Sequence, residues 1–206
     1  MKRLAGIRRS GMAALAAAAA AAFAPCQAAT PDIGTREWRF NVSLDGRPIG
    51  EHRFVLRDAG DLRELTSEAR FRVRVLYIDA YRYHHYARES WRGDCLQQLD
   101  ASTEVNGKRT VVDVTPLEEC VQTFAYWNPS ILRASRLVDP QTGEYVPVQV
   151  RDLGSDDIAG QPATRFRLVG SGRTPMEIDL WYSPGRDWLA LESRTPEGRM
   201  LRYSRE

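Results

Sequence analysis

The sequence is poor in the residues that form catalytic and metal-binding motifs. It has three cysteines and three histidines among 206 residues. It contains no GxSxG nucleophile motif, no glycine-rich phosphate-binding loop, no HExxH pair and no set of zinc-binding cysteines. No motif therefore predicts a catalytic residue, a metal ion or a cofactor.

Long apolar runs are also missing, except for one at the N-terminus. Basic residues within 1–9 precede the run GMAALAAAAAAAFA at 11–24, and PCQAAT follows as a small-residue cleavage region. The run is shorter than the roughly 20 residues that span a bilayer, and this three-part order is typical of a secretory signal peptide. We predict cleavage of residues 1–28, a periplasmic protein, and a single mature domain over 29–206 without a transmembrane segment.

Little net charge remains after that cleavage. Loss of the four basic residues in the first nine positions leaves 25 basic residues against 27 acidic ones and changes the formal charge from +2 to −2. Nucleic-acid binding needs a basic face, so we predict no nucleic-acid partner. Arg8-Arg9 leaves both the general secretory and the twin-arginine export routes open.

Two cysteines, Cys95 and Cys120, remain in the mature chain. An even number of cysteines in an exported protein predicts a disulfide. Two buried free thiols are the alternative. Catalytic thiols are disfavoured because no CxxC motif is present.

From Arg36 onward, apolar and polar residues alternate with the period of two that is typical of strands. Asp45-Gly46 and Asn106-Gly107 predict tight turns between such strands. One short helix is predicted near 128–138, because Asn128 can cap it and proline follows at its first position. The predicted fold is all-β and mainly antiparallel, a strongly curved sheet or a flattened barrel with the helix against its open side.

The stretch YIDAYRYHHYARESW at 77–91 is the most aromatic part of the chain. On a strand its odd-numbered residues share one face, and pairing with the preceding strand adds Phe71 to that face. Rings with a few hydroxyl and imidazole groups suit a mostly apolar ligand whose polar end must be fixed. A filled core with tyrosines at its rim is the other interpretation. The residues of this face are Tyr81, Tyr83, His85, Glu89 and Trp91.

A metal site is a weaker interpretation of the same stretch. His52 and His85 with Glu89 could form a site of two histidines and one carboxylate. The spacing does not require it, and on a strand the adjacent His84 and His85 point to opposite faces. We therefore predict no metal.

The opposite face of the same two strands is rich in arginine. It could attract lipid head groups or another acidic surface, or it could be a solvated face that Glu68 and its neighbours partly neutralise. The arginines of this face are Arg70, Arg72, Arg74, Arg82, Arg88 and Arg92.

Several segments carry a resemblance to known proteins. WRFNVSLDGRPIGEHRF at 38–54, YRYHHYARESWRGDC at 81–95, FAYW at 124–127, QTGE at 141–144 and IDLWY at 178–182 resemble an uncharacterised family of exported bacterial proteins, a domain of unknown function. The TGE turn into V-x-V and the later WLALES are similar in layout to the lipoprotein carriers of the Gram-negative periplasm. That second resemblance implies a half-open barrel with an apolar concavity, and neither resemblance supplies a catalytic residue.

Together these patterns predict a periplasmic binding or carrier protein for a hydrophobic or amphiphilic, lipid-like molecule. One alternative is an enzyme that acts on such a ligand through a histidine and Glu89 as an acid-base pair. Another is an assembly factor that binds a protein partner in the cell envelope. The predicted ligand-binding residues are Tyr81, Tyr83, His85, Glu89, Trp91, His52, Phe71 and Trp127.

Overall fold

Strands form wherever the sequence alternates between apolar and polar residues. The computed structural model describes residues 34–75, 78–116, 120–173 and 175–206, and the predicted signal peptide lies outside them. The first half of this chain is a run of six hairpin-connected strands: β1 (Gly34–Leu44), β2 (Arg47–Ala59), β3 (Leu62–Val75), β4 (Ile78–Arg92), β5 (Cys95–Val105) and β6 (Lys108–Val114).

The second half begins with short, irregular elements and ends with another antiparallel run. A 3-10 helix, η1 (Pro129–Arg133), lies among these elements. The strands are β7 (Gln122–Thr123), β8 (Arg136–Val138), β9 (Tyr145–Ile158), β10 (Gln161–Gly170), β11 (Met176–Tyr182), β12 (Trp188–Arg194) and β13 (Met200–Arg205).

All thirteen strands belong to one sheet, in the order β6-β5-β4-β3-β2-β1-β13-β12-β11-β10-β9-β8-β7. The first and last strands pair with each other, Phe40 opposite Arg205, and this pairing joins the two antiparallel runs. Every pairing is antiparallel except that of β7 with β8. Within the described residues no ladder joins β6 to β7, so the sheet is curved but not closed.

Turn chemistry supports the hairpins. Asn106 and Gly107 have φ angles of 51° and 85°, as the central residues of a type I′ turn require. Gly50 has a different role, because it has φ 149° and lies where the register of β1 with β2 shifts. A Cβ there would lie 1.9 Å from the carbonyl oxygen of Arg70, so only glycine allows β2 to approach β3 this closely.

The predicted helix near 128–138 is shorter than expected. Asn128 does cap it, accepting a hydrogen bond from the Ser130 backbone at 3.1 Å, but the helix is the five-residue η1 and the chain is extended again at Ala134. Residues 136–138 form β8 instead. Such a short segment gains little as an isolated helix, whereas β8 buries Leu137 and Val138 and pairs with β9.

The concave face of the sheet and the segment around η1 enclose one principal core. Trp38, Phe40, Trp91 and Trp188 are among its fully buried side chains. The Cys95–Cys120 disulfide is present, and beside it the Leu96 backbone donates to the Val121 carbonyl at 2.8 Å. These links hold the segment that follows Cys120 against β5. No helix within the described ranges is long and apolar enough to cross a membrane.

Candidate functional site

A ladder of stacked rings runs along the concave face of β3 and β4. Phe71 lies opposite Tyr83, and their ring centroids are 5.2 Å apart with nearly parallel planes. Tyr83 in turn stacks at 6.3 Å on both Tyr81 and His85. These four residues are called the aromatic ladder below.

The aromatic ladder extends from the core to the surface. His85 is 4% exposed, Phe71 and Tyr83 are half-buried, and Tyr81 is 36% exposed. Alternation on a strand explains why these rings share a face. The gradient arises because the ladder reaches the end of the sheet, where fewer neighbouring elements cover it.

A tyrosine from the second half of the chain, Tyr126, lies near Tyr83 of the ladder. Tyr126 is half-buried, its ring lies 5.3 Å from that of Trp188, and its carbonyl accepts a 2.7 Å hydrogen bond from the Tyr182 hydroxyl. Burial raises the pKa of both Tyr83 and Tyr126, and the Tyr83 hydroxyl raises that of Tyr126 further. We call Phe71, Tyr81, Tyr83 and Tyr126 the aromatic mouth.

A hydrogen-bonded histidine lies deeper, next to the ladder. His52 Nε2 is 2.7 Å from Ser67 Oγ, and His52 Nδ1 is 3.2 Å from the Tyr203 hydroxyl. The imidazole stacks on Phe54 at 4.0 Å. Burial lowers the pKa of His52 well below its usual value, and nearby His85 lowers it further. His52 is therefore neutral, with both ring nitrogens engaged.

His85 differs from His52 in having one nitrogen unused. Its Nδ1 is hydrogen-bonded to Thr103 Oγ1 at 2.8 Å, whereas its Nε2 has no hydrogen-bond partner within the described chain. Burial lowers the pKa of His85 to about 4, and the neighbouring His84 lowers it further. A neutral imidazole whose second nitrogen is unpaired can donate or accept a hydrogen bond, depending on its tautomer.

Glu89 is buried and takes no part in the hydrogen bonds of His52 and His85. Its carboxylate accepts from Trp91 Nε1 at 2.9 Å and from Thr123 Oγ1 at 3.0 Å. Burial raises the pKa of Glu89 to about 7, although these two hydrogen bonds oppose the shift. Glu89 therefore joins β4 to β7 and has no hydrogen bond to His52 or His85.

Trp91 and Trp127 lie in the packed core. Both are buried, and their rings meet edge to face with centroids 5.5 Å apart. Tyr81 and Trp91 are ten residues apart on one strand, about 30 Å at the usual rise of a strand. One small ligand cannot contact both. Ligand contact with Trp91 and Trp127 is thus disfavoured, while Phe71, Tyr81, Tyr83, His52 and His85 remain together.

No group of three or more histidine, cysteine, aspartate or glutamate side chains in the described ranges is placed to hold a metal ion.

The residues that sequence reasoning missed are Ser67, Thr103, Tyr126 and Tyr203. Ser67 and Thr103 could have been found as polar residues at buried positions of an alternating pattern. Tyr203 comes from β13, and nothing in its local sequence links it to His52.

The arginine-rich face lies on the other side of the same strands. A groove of about 770 Å³ borders this face, and its lining includes Arg70, Arg82 and His84 together with Phe71 and Tyr83 of the ladder. Glu68 bonds to both Arg70 and His84, at 2.6 and 2.9 Å. This face is therefore partly neutralised.

Comparisons with known proteins concern the fold and the family. Residues 40–206 match a family profile described as a domain of unknown function, DUF6134. No curated protein matches the chain. A solved structure with similarity is the beta-barrel-like protein of domain of unknown function DUF1849 from Brucella abortus, with 8% identity, a TM-score of 0.48, and coverage of 84% of this chain and 96% of that one.

Proposed function

The chain belongs to the family of domain of unknown function DUF6134, as its resemblance predicted, and we propose that it binds a hydrophobic or amphiphilic molecule at the aromatic mouth. The supporting observation is the exposure gradient of the aromatic ladder. Its rings are stacked as in a core, yet Tyr81 is 36% exposed and Phe71, Tyr83 and Tyr126 are only half-buried.

Apolar burial provides the driving force for this binding. Covering exposed aromatic surface stabilises a complex by about 25 cal/mol per Å² of apolar area removed from water. Flat rings held in a rigid sheet also lose little conformational entropy when a ligand packs on them. The mouth is thus suited to an alkyl chain or a fused ring system. The polar groups of His52 and His85 lie deeper along the same face.

The acid-base enzyme has less support from the geometry. Glu89 is engaged by Trp91 and Thr123, and it lies deep in the core. A histidine and a carboxylate that act on one substrate should both reach it. Binding without catalysis therefore accounts for more of the arrangement.

The proposal includes export to the periplasm, which rests on the pattern of residues 1–28. The Cys95–Cys120 disulfide is compatible with an oxidising compartment. N-terminal analysis of the protein recovered from a periplasmic fraction should give a chain that begins at Ala29. Recovery of the full-length chain in the cytoplasm would contradict this part of the proposal.

Titration with N-phenyl-1-naphthylamine, an uncharged dye that fluoresces in apolar sites, tests binding at the mouth. We expect saturable binding that weakens about tenfold in Tyr81→Ala and in Tyr83→Ala, since each loses a ring worth about 1 kcal/mol or more. Val111→Ala is the matched control, because it removes an exposed apolar side chain away from the mouth. Tyr81→Ala is informative even if Tyr83→Ala is unstable, because Tyr81 is largely exposed. An unsaturable signal, or an affinity in both tyrosine variants that equals that of the unmodified protein, would contradict the proposal.

A further inference from the structure

The polar groups beneath the aromatic mouth carry no charge. His52 and His85 are neutral, and their partners Ser67, Thr103 and Tyr203 are hydroxyl residues. The only nitrogen of this group that lacks a hydrogen bond within the described chain is His85 Nε2. His85 itself is 4% exposed. This nitrogen is not one of the fully enclosed side-chain atoms without a partner in the described residues, which are Gln122 Oε1, Trp127 Nε1 and Arg165 Nε, so it is open to a hydrogen bond from water or a ligand.

Two carboxylates, Asp139 and Glu197, act on the tyrosines of the mouth. Burial raises the pKa of Tyr83 and of Tyr126, and the Asp139 carboxylate raises both further. Burial likewise raises the pKa of Tyr81, with an additional contribution from the Glu197 carboxylate. An anionic head group at the mouth would therefore be repelled.

The even-numbered arginines of β3 and β4 lie behind the sheet, and Arg199, which lines a groove together with Val73, is ion-paired with Asp45. Arg70, Arg72 and Arg82 are even-numbered residues of β3 and β4 and are exposed on the convex face. The aromatic ladder occupies the odd-numbered positions of the same strands. Since side chains alternate across a sheet, these guanidinium groups point away from the mouth.

We infer that the ligand carries an uncharged oxygen function, such as a hydroxyl, ester or ketone group, which hydrogen-bonds to His85 Nε2, and that the site disfavours carboxylate and phosphate head groups. This inference rests on the proposed function and adds the chemical class of the ligand. Burying an anion without a countercharge is strongly unfavourable. A neutral oxygen needs only one partner, and His85 supplies it as donor or acceptor.

Displacement of bound N-phenyl-1-naphthylamine by chain-matched ligands tests the inference. At pH 8 and below the micellar range, 1-dodecanol and methyl dodecanoate should displace the dye at concentrations at least tenfold lower than dodecanoate. The three ligands have similar chains and differ in the charge of the head group. This comparison uses the unmodified protein and does not depend on the folding of any variant.

Substitution then tests the assigned nitrogen. His85→Phe keeps a ring in the ladder but loses the hydrogen bond, so dodecanol should bind about five- to tenfold more weakly while the dye still binds. His84→Phe is the matched control, because His84 is the adjacent residue on the convex face, where it pairs with Glu68, and it should leave dodecanol binding unchanged.

Each outcome separates the inference from the proposed function. If dodecanoate equals or surpasses dodecanol, or if neither displaces the bound dye, the inference is wrong although the mouth still binds an apolar molecule. If the dye itself does not bind, the proposed function fails. If His85→Phe binds dodecanol as the unmodified protein does, the assignment to His85 is wrong.

Discussion

Among single residues, Glu89 has the clearest effect on stability. Its folded-state pKa is about 7, above the value of roughly 4.5 of an exposed glutamate. Between these two pH values the folded protein holds a proton that the unfolded chain has lost. The contribution of Glu89 to the free energy of unfolding should therefore fall as pH rises from about 4.5 to about 7, by roughly 3 kcal/mol, and stay constant above that.

Replacement of Glu89 by glutamine tests this effect. The amide can still accept from Trp91, and the Thr123 hydroxyl can turn to accept from the amide nitrogen. We expect Glu89→Gln to be more stable than the unmodified protein at pH 8, and to lose that advantage at pH 4.5. Denaturant unfolding at both pH values measures the difference in the free energy of unfolding between the variant and the unmodified protein. The opposing effects of His52 and His85 are present in both proteins and cancel from this difference. A difference that does not vary with pH would show that Glu89 is ionised in the folded protein.

Gly50 is the second residue with a large expected effect. Gly50→Ala puts a Cβ 1.9 Å from the Arg70 carbonyl oxygen at φ 149°, and the strands must separate to accommodate it. We expect the free energy of unfolding to fall by at least about 3 kcal/mol. Gly107→Ala is the control, because its φ is also positive but no heavy atom lies within 4 Å of the added Cβ, and it should cost about 1 kcal/mol. Equal losses in the free energy of unfolding in the two variants would contradict this account of the close approach at Gly50.

Among the structural elements, the segment that follows Cys120 depends most on a covalent link. The Cys95–Cys120 bridge closes a loop between residues 25 apart, and replacing both cysteines by alanine should lower the free energy of unfolding by about 3 to 4 kcal/mol. Hydrogen exchange should increase most in residues 121–134. The unmodified protein under reducing conditions should match the double variant. Unchanged stability in both would mean that packing alone holds this segment.

Individual strands were predictable from the sequence, and the helix was not. In β3 and β4 the period of two is unbroken, so the sequence correctly placed Phe71, Tyr83 and His85 on one face. The helix predicted near 128–138 does have a cap at Asn128. The backbone of residues 136–138, however, forms its hydrogen bonds with β9. The local sequence does not reveal this partner. A cap predicts where a helix can begin, but it does not predict whether the residues that follow will form a strand instead.

At the scale of the whole molecule, long-range contacts decide which part of the aromatic face stays accessible. His52 is held by Tyr203, 151 positions later, and Tyr126, from the turn that follows β7, interacts with Tyr83. Alternation alone could not separate the packed end, with Trp91 and Trp127, from the open end, with Tyr81. That separation arises because the segment around η1 covers only one part of the concave face.

The curved sheet also separates charge from apolar surface. The even-numbered arginines of β3 and β4 occupy the convex face, His52, His85 and the stacked rings occupy the concave face, and Asp139 and Glu197 act on the tyrosines of the mouth. We expect a screen of dyes of similar size at low ionic strength to favour uncharged over anionic ones at the mouth. Stronger binding of the anionic dyes that is lost in Tyr81→Ala would contradict this arrangement.

Binding at the aromatic mouth is tested most directly by identifying what is bound to the protein when it is purified from the cell. The protein should be purified without detergent, its intact complex weighed by native mass spectrometry, and the same sample extracted with organic solvent. We predict a bound apolar molecule at about one per chain, and its loss when Tyr81 and Tyr83 are both replaced by alanine. A bare chain from which no lipid is extracted, and which also fails to bind N-phenyl-1-naphthylamine, would contradict the account.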